Sequence, residues 1–359
     1  MTSMDDIRNK VRLLEHGVDH VHSSAFPGNY PGYDDDWSKE KFERNFKIQI
    51  IHITNEVKRH TGIGMDLDYI DEMEFDMIGI DAAIANAIRR ILIAEVPSMA
   101  IEKVHIYNNT SIIQDEVLAH RLGLVPIKAD PRLFEYAQPG AEDEGTEEDT
   151  LEFRLKVKCT KNPAARDSTD PDQMYRDHKI TTKYFEWLPK GNQEHLGNIG
   201  PVRDNILLAK MRPGQELDLR LFCVKGVGKD HTKFSPVATA SYRLLPSIEL
   251  LRPVEGADAD KLQRCFSPGV IGLTTGKKGK KKAFVADARR DTISREVFRH
   301  EELKDAVKLE RMRDHFIFSV ESVGALRPEV LVVEAIKVLQ AKCHTLLQEL
   351  EEQTQPAAS

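Results

Sequence analysis

A stripe of apolar side chains at helical spacing leads into the most informative stretch of the chain, residues 86–127. The stripe consists of Ile84, Ile88, Ile91 and Leu92, at steps of four, seven and eight from the first. Asp81 precedes it at a position suited to capping, and Pro97 cannot continue a helix because it lacks a backbone donor. The pattern predicts a helix that ends before Pro97, with Arg89 and Arg90 pointing away from the stripe.

Polar and apolar residues alternate in several shorter stretches, and this period of two predicts strands. The predicted strands cover residues 46–53, 73–78, 101–107, 151–159 and 216–224. Within residues 73–78, Glu74 and Asp76 are expected on the polar face. A short helix is predicted over residues 114–122, because a glycine and a proline follow it. Two strands that lead into a long helix form a sheet-plus-helix layer, so the chain is expected to be α+β.

The C-terminal region repeats apolar residues in heptads. The repeating residues are Val332, Ile336, Leu339, Cys343, Leu346 and Leu350. Pro328 suits the first position of this helix, where its missing donor costs nothing. The predicted helix has about 24 residues and is roughly 36 Å long. Burying one such Leu or Ile contributes roughly 1.5–3 kcal/mol, so a partner that covers the seam is expected.

The predicted elements divide the chain into an arm and two domains. Residues 1–45 mix glycine, proline, an acidic run and isolated aromatics, and we predict an extended arm that lies on a partner surface. Residues 46–96 and 239–359 are predicted to form one domain together. Residues 97–238 are predicted to form a mainly antiparallel domain inserted between its halves, although the order of residues 160–205 is not defined by their pattern.

Charge and cysteine content narrow the function classes. Lys plus Arg number 51 against 58 Asp plus Glu, a net charge of −7, whereas a chain that mainly holds nucleic acid is usually basic. The four cysteines, Cys159, Cys223, Cys265 and Cys343, form no close pair, so neither a compact zinc site nor a disulfide framework is indicated. Because no long apolar run or signal-like N-terminus is present, we expect no membrane association and a reducing, intracellular setting.

Candidate chemistry is sparse in this sequence. Glu116 and His120 stand four apart on one helix face, a spacing that suits metal ligands, but no third ligand is in view. GLTTGKKGKKK, from Gly272, lacks the glycine spacing and the Ser or Thr of a phosphate-binding loop. The lysines of residues 276–282 indicate a solvated loop, with phosphate-backbone contact or nuclear targeting as alternatives. We therefore expect no catalytic residue, no cofactor and no metal, and apolar seams without chemistry indicate a scaffold.

Several segments carry a family resemblance. NAIRRILIAEVPSMAIEKV, from Asn86, and DEVLAHRLGLVPI, from Asp115, resemble the signature of the alpha-like subunits of cellular RNA polymerases. FPGNYPGYDDDW and DARRDTISREVFRHEEL are similar to the branch of that family that RNA polymerases I and III share. FSVESVGALRPEVLVVEAIKVLQAKC resembles the family's closing segment. Some members carry a zinc loop or an iron–sulfur module built from clustered cysteines, and the scattered cysteines here do not match it.

The resemblance implies a helix-plus-sheet dimerisation domain interrupted by an inserted, mainly antiparallel domain. It also implies a heterodimer with a smaller alpha-like subunit, formed by the opening helix and the C-terminal helix. The implied interface residues are Ile84, Ile88, Ile91, Leu92, Val332, Ile336, Leu339, Leu346 and Leu350. Arg89 and Arg90 are implied to face the second-largest polymerase subunit, and the inserted domain to contact the two large subunits, with other small subunits nearby.

The implied function is that of a non-catalytic assembly subunit of DNA-directed RNA polymerases I and III, which transcribe ribosomal RNA precursors and small RNAs such as 5S rRNA and tRNA. The chain would act in the nucleus, including the nucleolus, could be assembled in the cytoplasm, and would meet nucleic acid only peripherally. Two alternatives stay open: the equivalent subunit of RNA polymerase II, and a nucleic-acid-binding module that uses the lysines of residues 276–282. An enzyme in its own right is the least supported reading.

Overall fold

The computed structural model of the chain describes residues 9–21, 37–54, 57–58, 68–69, 71–138, 144–165, 169–275 and 279–354. The chain forms two compact units. The first consists of residues 1–52, 74–86 and 241–319, and the second of residues 53–73, 87–240 and 320–359. Helices and antiparallel sheets both contribute, which confirms the expected α+β class.

The secondary-structure elements alternate along the chain. The strands are β1 (Lys10–Leu13), β2 (Val18–Asp19), β3 (Lys47–Thr54), β4 (Val57–Lys58), β5 (Asp68–Tyr69), β6 (Asp71–Ile78), β7 (Pro97–Asn109), β8 (Ile127–Lys128), β9 (Thr150–Lys158), β10 (Thr160–Lys161), β11 (Tyr175–Arg176), β12 (Lys179–Thr181), β13 (Phe185–Leu188), β14 (Gly200–Pro201), β15 (Leu207–Lys210), β16 (Glu216–Val227), β17 (Val237–Leu250), β18 (Ile271–Thr275), β19 (Lys281–Val285) and β20 (Val307–Ser322). The α-helices are α1 (Lys39–Asn45), α2 (Ala82–Ala94), α3 (Asp115–Gly123), α4 (Pro171–Met174), α5 (Ala257–Arg264) and α6 (Pro328–Thr354).

The first unit is built around one sheet with β20 at its centre. The strand order is β2-β1-β20-β6-β3, and β17 also pairs with β20. The Phe75 ring of β6 stacks on Phe318 of β20 with ring centroids 5.1 Å apart, and Tyr242 of β17 packs on the same Phe318 at 5.3 Å. Because aromatic rings bury a large apolar area, this cluster anchors three strands of the sheet.

A second apolar cluster fills the remainder of the first unit. Its buried members come from β1, α5 and its flanking residues, β18, β19, the segment before β20 and the start of β20: Leu13, Val254, Ala259, Leu262, Cys265, Phe266, Val270, Ile271, Ala283, Val297, Leu303, Ala306, Val307 and Leu309. β18 and β19 form an antiparallel hairpin in which Thr275 pairs with Lys281. The last lysines of residues 276–282 therefore belong to a strand, while residues 276–278 lie outside the described part of the chain.

The N-terminal segment differs from the predicted arm where the structure describes it. β1 pairs antiparallel with β20, and Leu13 is buried in the core of the first unit. α1 follows at residues 39–45, capped by the Ser38 side chain, which accepts from the Lys41 N–H. Apolar Val11 and Leu13 suffice for a short strand beside β20, so this part is sheet rather than arm. Phe26, Tyr30 and Tyr33 of the predicted arm lie outside the described residues.

The second unit contains a four-stranded antiparallel sheet in the order β13-β9-β16-β7. Apolar side chains at alternate positions of β9 and β16 face one core, as their alternation predicts. These buried residues are Leu151, Phe153, Leu155, Val157, Leu217, Leu219, Leu221 and Cys223. α3 adds Leu118 and Leu122 to the same core, and its Arg121 Nη2 donates to the Leu207 carbonyl at 2.7 Å. Residues 160–205, whose order the pattern left undefined, form short strands paired as β10-β11, β12-β15, β13-β9 and β14-β8.

The unit boundaries differ from the predicted domains at both interface helices. Residues 87–96 and the whole of α6 group with the second unit, not with the sheet of the first. The Lys229 N–H donates to the Ala94 carbonyl at 2.8 Å, and Arg132 lies 3.6 Å from Glu334 of α6. These contacts tie the end of α2 and the start of α6 to residues of the second unit itself.

Candidate partner interface

α2 begins as the sequence predicts but buries most of its stripe within the chain. The Ala83 N–H donates to Asp81 Oδ1 at 2.7 Å, which is the expected N-terminal cap. Three residues of the stripe, Ile88, Ile91 and Leu92, are buried in the chain on its own. Ile84 is 37% exposed. Of the four stripe residues, Ile84 alone therefore presents a large apolar surface outward.

α6 changes character along its length. Pro328 is its first residue, as predicted, and the Arg327 carbonyl accepts from the N–H groups of Val330 and Leu331. Leu331, Val332 and Ala335 are buried, so the first two turns anchor the helix. Every residue from 340 to 354 is exposed. The anchored start and exposed remainder give a helix that projects apolar side chains away from its own core.

The exposed part of α6 carries most of the heptad residues. We name Ile336, Leu339, Cys343, Leu346 and Leu350 the α6 row. Within it Ile336 is 40% exposed, Leu346 61% and Leu350 59%, while Leu339 is half-buried. Leu347, next to the row, is exposed as well. An exposed apolar row of this length is typical of an interaction surface.

One ion pair places the middle of α6 beside the end of α2. Lys342 Nζ donates to Glu95 Oε1 at 2.7 Å and lies 2.6 Å from Glu95 Oε2. An exposed ion pair of this kind contributes less than about 1 kcal/mol to stability. It is informative mainly because it shows which residues lie close together. The pair shows that the C-terminal end of the opening helix and the α6 row occupy the same region of the second unit.

The two arginines predicted to contact a large subunit have different surroundings. Arg90 is exposed, whereas Arg89 is half-buried and engaged in a contact within the chain. The orientation of both arginines away from the stripe stays a prediction. The contact with a polymerase subunit itself stays a prediction.

The remaining candidate chemistry does not assemble into a site. Among the described residues, no group of three or more His, Cys, Asp and Glu side chains could hold a metal ion. Burial raises the pKa of the Cys159, Cys223 and Cys265 thiols, which makes them poor nucleophiles. Lys281 donates to Asp260 at 2.7 Å, so one of the lysines of residues 276–282 is paired within the chain. No helix among the described residues is long and apolar enough to cross a membrane.

Sequence reasoning missed one apolar surface. All the isoleucines of β3 are exposed: Ile48, Ile50, Ile51 and Ile53. β3 is the last strand at its end of the sheet in the described part of the chain. Isoleucines at both even and odd positions were the available signal, because a strand with one covered face shows apolar residues on that face only.

The sheet built around β20, the four-stranded antiparallel sheet of the second unit and the exposed helical row agree with a protein of the dimerising, alpha-like class. The chain belongs to the family of the RNA polymerase Rpb3/Rpb11 dimerisation domain, whose sequence model matches residues 74–343. The resemblance that residues 86–127 carry is thereby confirmed.

The relatives at full length are polymerase subunits. The chain is 59% identical over 353 residues to the mouse (Mus musculus) DNA-directed RNA polymerases I and III subunit RPAC1, covering 97% of each chain. It is 44% identical over 344 residues to the Saccharomyces cerevisiae subunit of the same name, covering 94% of this chain and 97% of that one. The Dictyostelium discoideum RNA polymerase II subunit rpb3 is 35% identical over 279 residues, which is 76% of this chain and 89% of that one.

Proposed function

We propose that this chain is the larger alpha-like subunit shared by RNA polymerases I and III, a non-catalytic assembly subunit that pairs with a smaller alpha-like subunit to nucleate the polymerase core. It would serve the synthesis of ribosomal RNA precursors and of small RNAs such as 5S rRNA and tRNA. Identities of 59% and 44% to polymerase I and III subunits over nearly the whole chain support this assignment.

The observation that carries the proposal is the α6 row. Its exposed leucines leave apolar surface in water that a facing helix would cover. Ile84 of α2 is a further exposed apolar residue of the proposed interface, while Ile88, Ile91, Leu92 and Val332 are buried within this chain. The proposed interface thus has an inner layer supplied by this chain and an outer layer that only the partner completes.

The remaining proposed contacts follow from the family resemblance. Arg89 and Arg90 would face the second-largest subunit, and the inserted antiparallel domain would contact both large subunits, with other small subunits around them. The chain would act in the nucleus, including the nucleolus, after assembly in the cytoplasm, without membrane contact, cofactor or metal, and with nucleic acid only at its periphery.

The two alternatives have less support. The polymerase II subunit rpb3 is 35% identical and matches 76% of this chain, which is a weaker match than those to polymerase I and III subunits. A nucleic-acid-binding module would depend on the lysines of residues 276–282, of which Lys281 is paired with Asp260.

Co-expression tests the proposal directly. We expect the chain to aggregate when produced alone and to form a soluble one-to-one complex with the smaller alpha-like subunit, measured as molar mass in solution by light scattering after gel filtration. A stable, monodisperse monomer that does not bind the smaller subunit would refute the proposal.

A further inference from the structure

Residues 287–300 form a segment of the first unit that is fixed to the sheet of that unit. Arg289 Nε donates to Glu74 Oε1 at 2.9 Å, and Arg289 Nη1 donates to Asp76 Oδ2 of the same strand, β6, at 2.8 Å. Near the other end of the segment, Val297 is buried in the second apolar cluster of the unit. The residues between these two anchors are therefore held close to the sheet.

Three arginines lie within electrostatic range of one another or of Asp291, which is in the middle of this segment and only 4% exposed. Arg243 belongs to β17 and Arg311 to the neighbouring strand β20. Burial raises the pKa of Asp291, and the charges of Arg243 and Arg311 act in the opposite direction. Burial also lowers the pKa of Arg311, and the nearby charge of Arg295 lowers it further. The first unit thus gathers positive charge around one buried carboxylate.

This positive charge is not neutralised by the described part of the chain. We name Arg243, Arg295 and Arg311 the arginine cluster, and none of them has a hydrogen bond or an ion pair with a described residue. Arg311 Nε and Arg243 Nη1 are closed off from water and cannot reach a ligand. The remaining guanidinium nitrogens of the cluster are open to the surface, since all three side chains are half-buried and these atoms are not enclosed. Three positive charges against one carboxylate leave an excess of two.

We propose that the arginine cluster binds an acidic segment of another polymerase subunit, an inference that rests on the proposed function. Two Asp or Glu side chains of the segment match the excess of two positive charges. The planar guanidinium group can donate two parallel hydrogen bonds to one carboxylate, and such charge-assisted hydrogen bonds are roughly twice as strong as neutral ones. Arginine is also more weakly hydrated than lysine, which favours it in ion pairs that an interface covers.

Nucleic acid and free anions fit the arginine cluster less well. A nucleic-acid backbone is bound by many cations along its length. This chain has a net charge of −7, and the exposed Glu301 and Glu302 follow the segment directly. A free inorganic anion offers one group to three arginines that come from separate elements. A polypeptide can supply a carboxylate to more than one of them.

Photo-cross-linking in the assembled enzyme tests the inference. The full chain carrying Thr292→p-benzoylphenylalanine, at an exposed position next to Asp291, is expressed in cells and the polymerase is purified. After irradiation, the cross-linked peptides are identified by mass spectrometry. We expect a cross-link to one segment of another subunit that contains at least two Asp or Glu residues beside the linked residue.

Charge variants then separate a specific site from mere proximity. Arg295→Gln should lower the cross-link yield about tenfold, as loss of hydrogen bonds to a charged group would. The matched control is Arg299→Gln in the same segment, where the arginine is exposed and pairs with Glu296 at 2.9 Å, and it should leave the yield unchanged. Arg295→Glu, combined with replacement of the linked Asp or Glu by Arg, should restore the yield.

A second variant keeps the test decisive if Arg295→Gln does not fold. Arg295→Lys keeps the charge but not the planar fork, so it should also lower the yield. Equal melting temperatures of the variant and the parent chain show that the substitution acts on binding and not on folding.

Several outcomes would overturn the inference. These are a cross-link to nucleic acid, a cross-link that stays within this chain, a cross-link to a segment without acidic residues, no cross-link in an intact polymerase, or an equal yield from the folded Arg295 variants and the parent chain. Failure of the proposed function is a different result, because then the chain would not co-purify with a polymerase at all.

Discussion

At the scale of single residues, the most informative side chain is a carboxylate that the sequence pattern predicts to be exposed and that the fold buries. Asp76 alternates with Phe75 and Met77 on β6 and was expected on a polar surface, yet it is only 3% exposed. Arg289 Nη1 donates to Asp76 Oδ2 at 2.8 Å, and His315 Nε2 lies 2.8 Å from the same oxygen. Arg289 stands 213 positions away in the sequence, so a local pattern could not reveal this pairing.

The Asp76 cluster gives a stability prediction. Asp76→Asn should lower the free energy of unfolding by about 1–3 kcal/mol, because it removes a charge that Arg289 and His315 bind in a partly buried place. The change is measured by chemical denaturation monitored by circular dichroism, with the chain alone or in complex with its partner. Asp314→Asn, at an exposed carboxylate on β20, is the control and should have little effect. Equal losses from both variants would contradict the structural role of Asp76.

The same cluster predicts a pH dependence. Burial opposes ionisation of Asp76, but hydrogen bonds from Arg289 and His315 outweigh it, so its pKa is lowered in the folded chain. A carboxyl group with a lowered folded pKa stabilises the fold above its unfolded pKa of about 3.9, and the contribution disappears as pH falls through the folded value. The stability difference between the parent chain and Asp76→Asn should therefore be constant from neutral pH down to about 4 and shrink below it. A difference that grows in acid would contradict this sign.

A comparison of two isoleucines tests the inner and outer layers of the interface. Ile88→Asp buries an unsatisfied carboxylate in the chain's own core and should destabilise it by more than about 3 kcal/mol, visible as a lower melting temperature. Ile84→Asp, at an exposed position, should leave the melting temperature nearly unchanged and weaken pairing with the smaller subunit. If Ile84→Asp unfolds the chain, or leaves pairing intact, the proposed outer layer is misplaced.

At the scale of elements, periodic segments could be predicted from sequence and irregular ones could not. The alternation in residues 151–159 predicts β9, and the heptads predict α6 with the correct first residue, because each buries one continuous apolar face. Residues 160–205 form strands of two to four residues, which are too short to show a period. Tertiary contacts such as that of Lys342 with Glu95 determine which parts of α2 and α6 this chain covers. The division of the interface into inner and outer layers therefore could not be predicted from the sequence.

The α6 row yields a prediction about how strongly helix α6 binds the partner. A Leu346→Glu and Leu350→Glu double variant should weaken pairing at least about a hundredfold, since burial of two leucines contributes about 3 kcal/mol or more. Gln348→Glu, which adds a carboxylate on the same exposed helix but outside the row, should pair normally. Titration by isothermal calorimetry or surface capture gives the Kd of each. Equal weakening by Gln348→Glu would show that charge, and not the row, determines the effect.

At the scale of the whole molecule, apolar surface and net charge act against each other. The chain carries a net charge of −7, which favours solubility, while the α6 row and the isoleucines of β3 leave apolar side chains in water. The α6 row begins inside the region that matches the family's dimerisation domain, residues 74–343, and extends past its end, while β3 lies before that region. Solubility of the lone chain thus depends on surfaces that its complex would cover.

A whole-molecule prediction follows from this balance. The Leu346→Glu and Leu350→Glu variant should make the lone chain more soluble and less self-associated than the parent chain, even as it weakens heterodimer formation. Sedimentation velocity at several protein concentrations measures the self-association. A variant that is less soluble than the parent would indicate that these leucines support the fold instead.

The position of β20 also constrains how the chain can be made. β1, β6 and β17 all pair with β20, which ends at residue 322 of 359. The sheet of the first unit cannot close until β20 has left the ribosome, although its edge strand β3 is made more than 250 residues earlier. At roughly 5–20 residues per second, the isoleucines of β3 stay without their sheet for on the order of tens of seconds. We therefore expect nascent chains of this protein to bind chaperones that shield strand edges. Truncation before residue 307 removes the strand with which β1, β6 and β17 pair.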